Sequence, residues 1–259
     1  MRGGPQVIPR PEKFRLGEKA PWERADITIP ERISCNEIKR ILSKTKLNKI
    51  PATYQEAWLG TSLTPRQRVA AEKALNSAKP TSSVLVPLFD DVNGNAHTVL
   101  TRRSQMVKSH TGEVSFPGGK VETDESIDQA ALRETFEEVG ILPENVTLIG
   151  HLEAMPTVAS GSWIVPLVGL LNPDSFVDAR PEYAINPGEV ERVFDIALTD
   201  LMLAGVYREE IWEFPGFGEG PVGFFEVEGD TIWGATARII RNFLEVIIGT
   251  HKVAQSSTR

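Results

Sequence analysis

The chain has 259 residues, 41% hydrophobic and 24% charged, with one cysteine and four histidines. Composition this close to average globular usage excludes collagen-like, low-complexity and wholly disordered chains, and the length allows one sizeable core plus an appendage. Twenty-eight basic against 35 acidic residues give a net charge of −7, which argues against a nonspecific nucleic-acid binder.

The lone Cys35 cannot form an internal disulfide, and no Cys/His cluster has structural-zinc spacing, so a reducing compartment is expected. No apolar run approaches the ~18 residues of a membrane span. The start, MRGGPQVIPRPEKFRLGEKAPWERA, has prolines and charges where a secretory signal needs apolar residues. A soluble, cytoplasmic protein that binds neither nucleic acid nor membrane is the expectation. Holding an anionic small molecule would then require a local basic patch or metal ions.

In chain order, residues 1–30 carry five prolines and few aliphatics and read as a surface arm. Residues 34–47 have helical apolar spacing, and Thr64-Pro65-Arg66-Gln67 resembles a capping box opening a helix to about Ala78. Together, residues 1–79 form an N-terminal arm and helical extension, for which a dimerisation element and a cap over the substrate are both open readings. A domain at 80–250 follows, then a tail at 251–259. Within it, residues 83–89 (SVLVPLF) and 96–101 flank an Asn93-Gly94 turn, predicting a hairpin. Further strands are expected at 146–153, 163–171, 207–214 and 222–227, and helices at 126–139 and 234–248. Without regular βαβ alternation, this pattern predicts a mixed α/β sandwich, not a doubly wound sheet.

The stretch from Gly119 to Ile141, GKVETDESIDQAALRETFEEVGI, carries the chemistry. At 100° per residue Glu134 and Glu138 lie about 40° apart and Glu137 about 60° on the other side of Glu134, so three carboxylates crowd one helix face. Leu132, Phe136 and Val139 are expected to anchor the opposite face, with the small Ala130 and Ala131 bordering the acids and leaving room for a ligand. Crowded like charges invite a cation. Oxygen donors without His or Cys suit Mg²⁺ or Mn²⁺, which readily bridge to phosphates.

The spacing Gly-x5-Glu-x7-Arg-Glu-U-x-Glu-Glu-x-Gly-U, with U aliphatic, resembles the Nudix hydrolase signature, and all seven fixed positions match; Thr135 departs at the first U. The resemblance implies an α/β/α sandwich with a mixed sheet and a loop-helix-loop that hydrolyses diphosphates linked to another group. Carried over, Glu134, Glu137 and Glu138 are divalent-metal ligands, Gly119 contributes a backbone carbonyl, and Glu125 accepts from Arg133.

Immediately upstream, Leu100, Thr101, Arg103, Ser104, Gly112, Phe116, Pro117, Gly118 and Gly119 fit Leu-Leu-Thr-x-Arg-Ser-x3-Arg-x3-Gly-x3-Phe-Pro-Gly-Gly. That is similar to the added pattern of the coenzyme A pyrophosphatase branch. Val99 replaces the first Leu, and Lys108 replaces the second Arg, exchanging a bidentate fork for a mobile ammonium. Coenzyme A carries a pyrophosphate and a 3′-phosphate, and Arg102, Arg103 and Lys108 would supply positive field while Gly118 lets backbone approach. His110 is a weaker candidate. For the general base Glu189 is the first choice, as a loop acid following a long strand, and Glu153 the reserve. The resemblance implies an Mg²⁺- or Mn²⁺-dependent pyrophosphohydrolase giving 3′,5′-ADP and 4′-phosphopantetheine. The alternatives are hydrolysis of ADP-ribose or a dinucleotide, or a Nudix-fold binding module without catalysis.

Overall fold

The computed structural model describes residues 6–45, 82–106, 111–156, 163–214 and 218–250. Its elements are β1 (Phe14–Leu16), α1 (Cys35–Lys44), β2 (Ser82–Asp90), β3 (Ala96–Arg103), β4 (Val114–Ser115), β5 (Gly118–Lys120), α2 (Ile127–Val139), β6 (Val146–His151), β7 (Met155–Pro156) and β8 (Trp163–Leu171). Then come β9 (Phe176–Val177), β10 (Arg180–Pro181), β11 (Val190–Ala197), α3 (Leu198–Leu201), β12 (Tyr207–Phe214), β13 (Gly218–Val227), β14 (Asp230–Trp233) and α4 (Gly234–Ile247). The proposed helix opening at Thr64, and Lys108 and His110, lie outside the described residues.

The main sheet runs β11-β3-β2-β8-β6, with β4 on β3, β5 on β2 and β7 on β8. β2 and β8 are parallel and the other pairs antiparallel, so the sheet is mixed as expected. A second, antiparallel sheet runs β1-β12-β13-β14. β2 shows how the layers form: alternate residues face opposite sides. Leu85 and Phe89 join the clusters with Ala131 and Val139 of α2, whereas Val86 and Leu88 join the large cluster with α1, α4, Tyr207 and Phe225. The α2 layer thus lies on one face, and α1, α4 and the second sheet on the other. On α4 the buried stripe is Ile239, Ile240, Phe243, Leu244 and Ile247, at the spacing of an amphipathic helix.

The N-terminal arm departs from the surface reading. Phe14–Leu16 adds an edge strand to β12. Trp22 is only 1% exposed, 5.4 Å edge-on to Tyr207 and 6.1 Å stacked on Phe225. Its burial depends on aromatics nearly two hundred residues away, which local composition does not reveal. Among the described residues, no helix is long and apolar enough to cross a membrane.

Candidate functional site

α2 is delimited locally. Ser126 and Gln129 form a capping box, each side chain accepting from the other's backbone N–H, and Gly140 ends the helix at φ 75°. Its buried face differs from expectation. Ala130, Ala131, Thr135, Glu138 and Val139 are buried, while Phe136 is 47% exposed. Ala130 and Ala131 therefore make room for the sheet, not for a ligand. The reason is the close approach of β2 and β5, which only small residues allow, leaving the bulky Phe136 to turn outward. Thr135 fits this seam because its hydroxyl donates to the Ala131 carbonyl at 2.6 Å.

That geometry carries Glu138 inward. Its side chain is 2% exposed, with Oε2 accepting the Gly118 N–H at 3.3 Å and Oε1 3.5 Å from the Arg103 guanidinium. Burial pushes its carboxyl up to about 8, against the opposing pull of Arg103 and the Gly118 N–H, and Glu134 and Glu189 add repulsion. Glu134 stands one turn earlier and is also raised, chiefly by burial, with Glu137 and Glu189 repelling it and Arg133 opposing. Glu137 is half exposed, 3.0 Å from Arg133.

Arg133 is the hub of the exposed side. Its Nε and second amino group donate to the two Glu125 carboxylate oxygens at 2.8 and 3.0 Å, and it reaches the Lys120 carbonyl at 3.1 Å. The Arg133 hydrogen bond holds Glu125 below the usual carboxylate range. The same guanidinium sits 3.1 Å from Glu134. The expected Glu125–Arg133 pair is present, and Arg133 also takes the position of a cation between Glu134 and Glu137.

Gly118 and Gly119 bring backbone to this ridge. A Cβ on Gly118 would collide with the Ser83 carbonyl oxygen and Val84, and its φ of 152° suits glycine. Its lack of a side chain is thus required by β2, in addition to any ligand. A Cβ on Gly119 would collide with the Glu134 carboxyl group, so Gly119 backbone and Glu134 border one cradle.

Glu189 comes to the ridge through its loop. The N–H groups of Ala184 and Asn186 donate to the Val139 and Glu138 carbonyls at 2.9 and 3.0 Å, covering carbonyls that the end of α2 leaves free. The Glu189 N–H donates to the Asn186 carbonyl at 3.0 Å, and the Glu189 carbonyl accepts from the Ser104 N–H at 2.7 Å. The tie made by Asn186 is not legible in the sequence, because a turn signal such as Asn186-Pro187-Gly188 does not say what the loop grips. Glu153, the reserve, bears electrostatically on Arg238 of α4.

The basic residues divide. Arg103 is paired with Glu138, whereas Arg102 donates to Asp230 at 3.0 Å and to Glu191 at 3.3 Å. Its hydrogen bonds to those acids, working against burial, raise its already high basicity further. Asp230 was not anticipated, because nothing local marks a strand-end acid as an arginine partner.

The donors suit a hard dication: carboxylate oxygens, the Gly119 backbone bordering Glu134, and a buried carboxylate whose ionisation is costly without a cation. Among the described residues, no three acidic, His or Cys side chains converge into a ready metal cage. Arg133 instead draws Glu134 and Glu137 to itself.

The NUDIX domain family model matches residues 79–209. Nudix hydrolase 3 of Caenorhabditis elegans is 36% identical over 52% of this chain and 53% of its own length. An uncharacterized Nudix hydrolase NudL of Photorhabdus laumondii is 33% identical over 68% of this chain and 89% of its own. The chain spans about half the length of the first curated relatives it matches. A solved MutT/nudix family protein of Enterococcus faecalis is similar over 77% of this chain and 76% of its own, at 18% identity and TM-score 0.43. The chain belongs to the Nudix family.

Proposed function

We propose that the chain is a pyrophosphohydrolase acting on the diphosphate linkage of a nucleoside diphosphate derivative. Its substrate would be coenzyme A or an acyl derivative, cut to 3′,5′-ADP and 4′-phosphopantetheine. The observation that carries this reading is that Glu134 borders the Gly119 backbone and buried Glu138 takes the Gly118 N–H and is raised to about 8, with Glu137 close enough to repel Glu134 and Glu189 close enough to repel both. Carboxylates that repel each other in a sheltered site await positive charge.

Glu134, Glu137, Glu138 and the Gly119 carbonyl would hold Mg²⁺ or Mn²⁺. Held by those oxygens, a dication would supply charge to polarise phosphoryl oxygens and to make water a better nucleophile. The chain's own work is positional. Glu189 would accept the proton of the attacking water on a carboxylate oxygen as the new P–O bond forms and the bridging P–O bond breaks. Arg103 would offer its donors to a phosphate oxygen, and Glu125 would keep Arg133 oriented at the foot of the ridge. Lys108 is proposed for the same anion from the sequence pattern alone. Arg102 is less suited to direct substrate contact, because its guanidinium is engaged by Asp230 and Glu191. The proposed locale is cytoplasmic, and the partner a small nucleotide-type molecule.

A second reading, hydrolysis of ADP-ribose or a dinucleotide, is favoured by one feature: Lys108 stands where the coenzyme A pattern has Arg. Full-length protein with Mg²⁺ or Mn²⁺ and a substrate panel, read by mass spectrometry, separates the two. Coenzyme A turned over fastest, with 3′,5′-ADP released and activity abolished by EDTA, is the expected result. Faster cleavage of ADP-ribose or a dinucleotide supports the second reading, and turnover surviving EDTA contradicts both.

A further inference from the structure

Arg102 and Arg103 are consecutive on β3, and a strand sends consecutive side chains to opposite faces. Arg103 points to Glu138 and Arg102 to the second sheet, where it meets Asp230. Asp230 is fully buried and also accepts from Arg192 at 2.9 Å and Gln6 at 2.7 Å. An acid held by three donors is a firm anchor for Arg102.

Across from Arg102, β11 changes register. Arg103 pairs with Val190, and Arg102 with Arg192, so Glu191 is an extra residue, a β-bulge. Continued without it, the register would set Val190 opposite Ser104. With it, Glu189 takes that place, and its carbonyl accepts the Ser104 N–H at 2.7 Å. The bulge therefore decides which side chain stands beside the α2 carboxylates. Arg102 is the cross-strand residue that grips the bulge, donating to Glu191 at 3.3 Å. Glu191 is 41% exposed, and ion pairs this open add at most about 1 kcal/mol to stability. A contribution of that size is small against the stability of the whole fold but enough to bias the register of one bulge several-fold.

We propose that Arg102, clamped on Asp230, is a positioning residue that locks the bulge at Glu191 and thereby places Glu189 against the carboxylates of α2. This rests on reading Glu189 as the proton acceptor. Arg102 acts through Glu191 and the backbone, without touching substrate.

The test uses full-length Arg102→Met, Arg102→Lys and Glu191→Gln, the last a mild surface change that keeps the fold should Arg102→Met unfold. Amide hydrogen exchange by NMR reads the bulge without turnover. Ser104 and Val190 should exchange about tenfold faster in Arg102→Met, less so in Glu191→Gln, with α2 amides unchanged. On whichever substrate the wild type cleaves, kcat should fall about tenfold with KM within about twofold, and Arg102→Lys should recover part of it. In a Glu189→Gln background the Arg102 substitution should add nothing, as a coupled pair requires. Unchanged exchange at Ser104, a raised KM at constant kcat, or the full tenfold loss repeated in the Glu189→Gln background would each overturn the proposal. If Glu189→Gln is fully active, the proton-acceptor reading fails and the exchange data still decide whether Arg102 holds the bulge.

Discussion

Two groups of buried acids lie on opposite sides of the molecule and are treated in opposite ways. In the second sheet Glu210 is fully buried, yet accepts from Arg10 at 2.8 Å, from the Trp212 indole at 2.8 Å and from Arg208. Burial would raise its carboxyl, and these partners outweigh burial and hold it below the usual range. On α2, Glu138 is likewise shut off from solvent but packed deeper, with one backbone N–H and one arginine at 3.5 Å, and burial raises it to about 8. The same residue type, equally shut off from solvent, is thus settled where three partners close over it and is left raised where it lies deeper with fewer partners.

Substitutions that neutralise each acid should separate these roles. The largest effect is on turnover: Glu137→Gln or Glu138→Gln should lower kcat by about a thousandfold or more, measured on the wild type's best substrate, with the circular dichroism spectrum retained. Next, Trp22→Ala should cost ~3 kcal/mol in urea melts through the cavity left against Tyr207 and Phe225. That result would also confirm that the arm belongs to the fold. Glu210→Gln should destabilise the fold by about 1–2 kcal/mol in the same melts, because the buried carboxylate loses its charge-assisted bonds from Arg10, Arg208 and the Trp212 indole, while the two arginines keep contact with solvent.

An effect of similar size has the opposite sign. A carboxyl raised to about 8 in the fold from an ordinary 4.5 favours folding fully below 4.5, and that contribution is lost as pH climbs through 8. Without dications, Glu138→Gln should therefore be more stable than wild type above pH 8, by about 1–2 kcal/mol after relaxation, and the advantage should fade toward pH 4.5. Equal stability of the two proteins across this range would place Glu138 among the satisfied acids.

Much of this site is legible in the sequence because its spacing is local. Glu134, Glu137 and Glu138 share a helix whose ends are set by Ser126 and Gly140, and the Gly118-Gly119 approach lies just ahead of it. The strands at Trp163–Leu171 and Tyr207–Phe214 also fall where the sequence sets them, the first on an apolar run and the second on aromatic and β-branched residues among charges. What escaped depends on partners distant in sequence. Phe136 reads as an anchor by periodicity, but the closeness of β5 selects Ala131 and Thr135 for that seam. Arg102 reads as a phosphate ligand until the fold brings Asp230 to it from 128 positions away. Trp22 reads as part of an arm until β12 and β13 supply its cage.

The most direct measurement is the shift in melting temperature on adding millimolar Mg²⁺ at pH 8, compared between wild type, Glu138→Gln and Glu210→Gln. If the ridge is the unsatisfied pole of the comparison, wild type and Glu210→Gln gain several degrees from the ion, as binding to the native state alone requires. Glu138→Gln should start higher and gain almost nothing. An equal gain in wild type and Glu138→Gln, or none in wild type, would contradict the account.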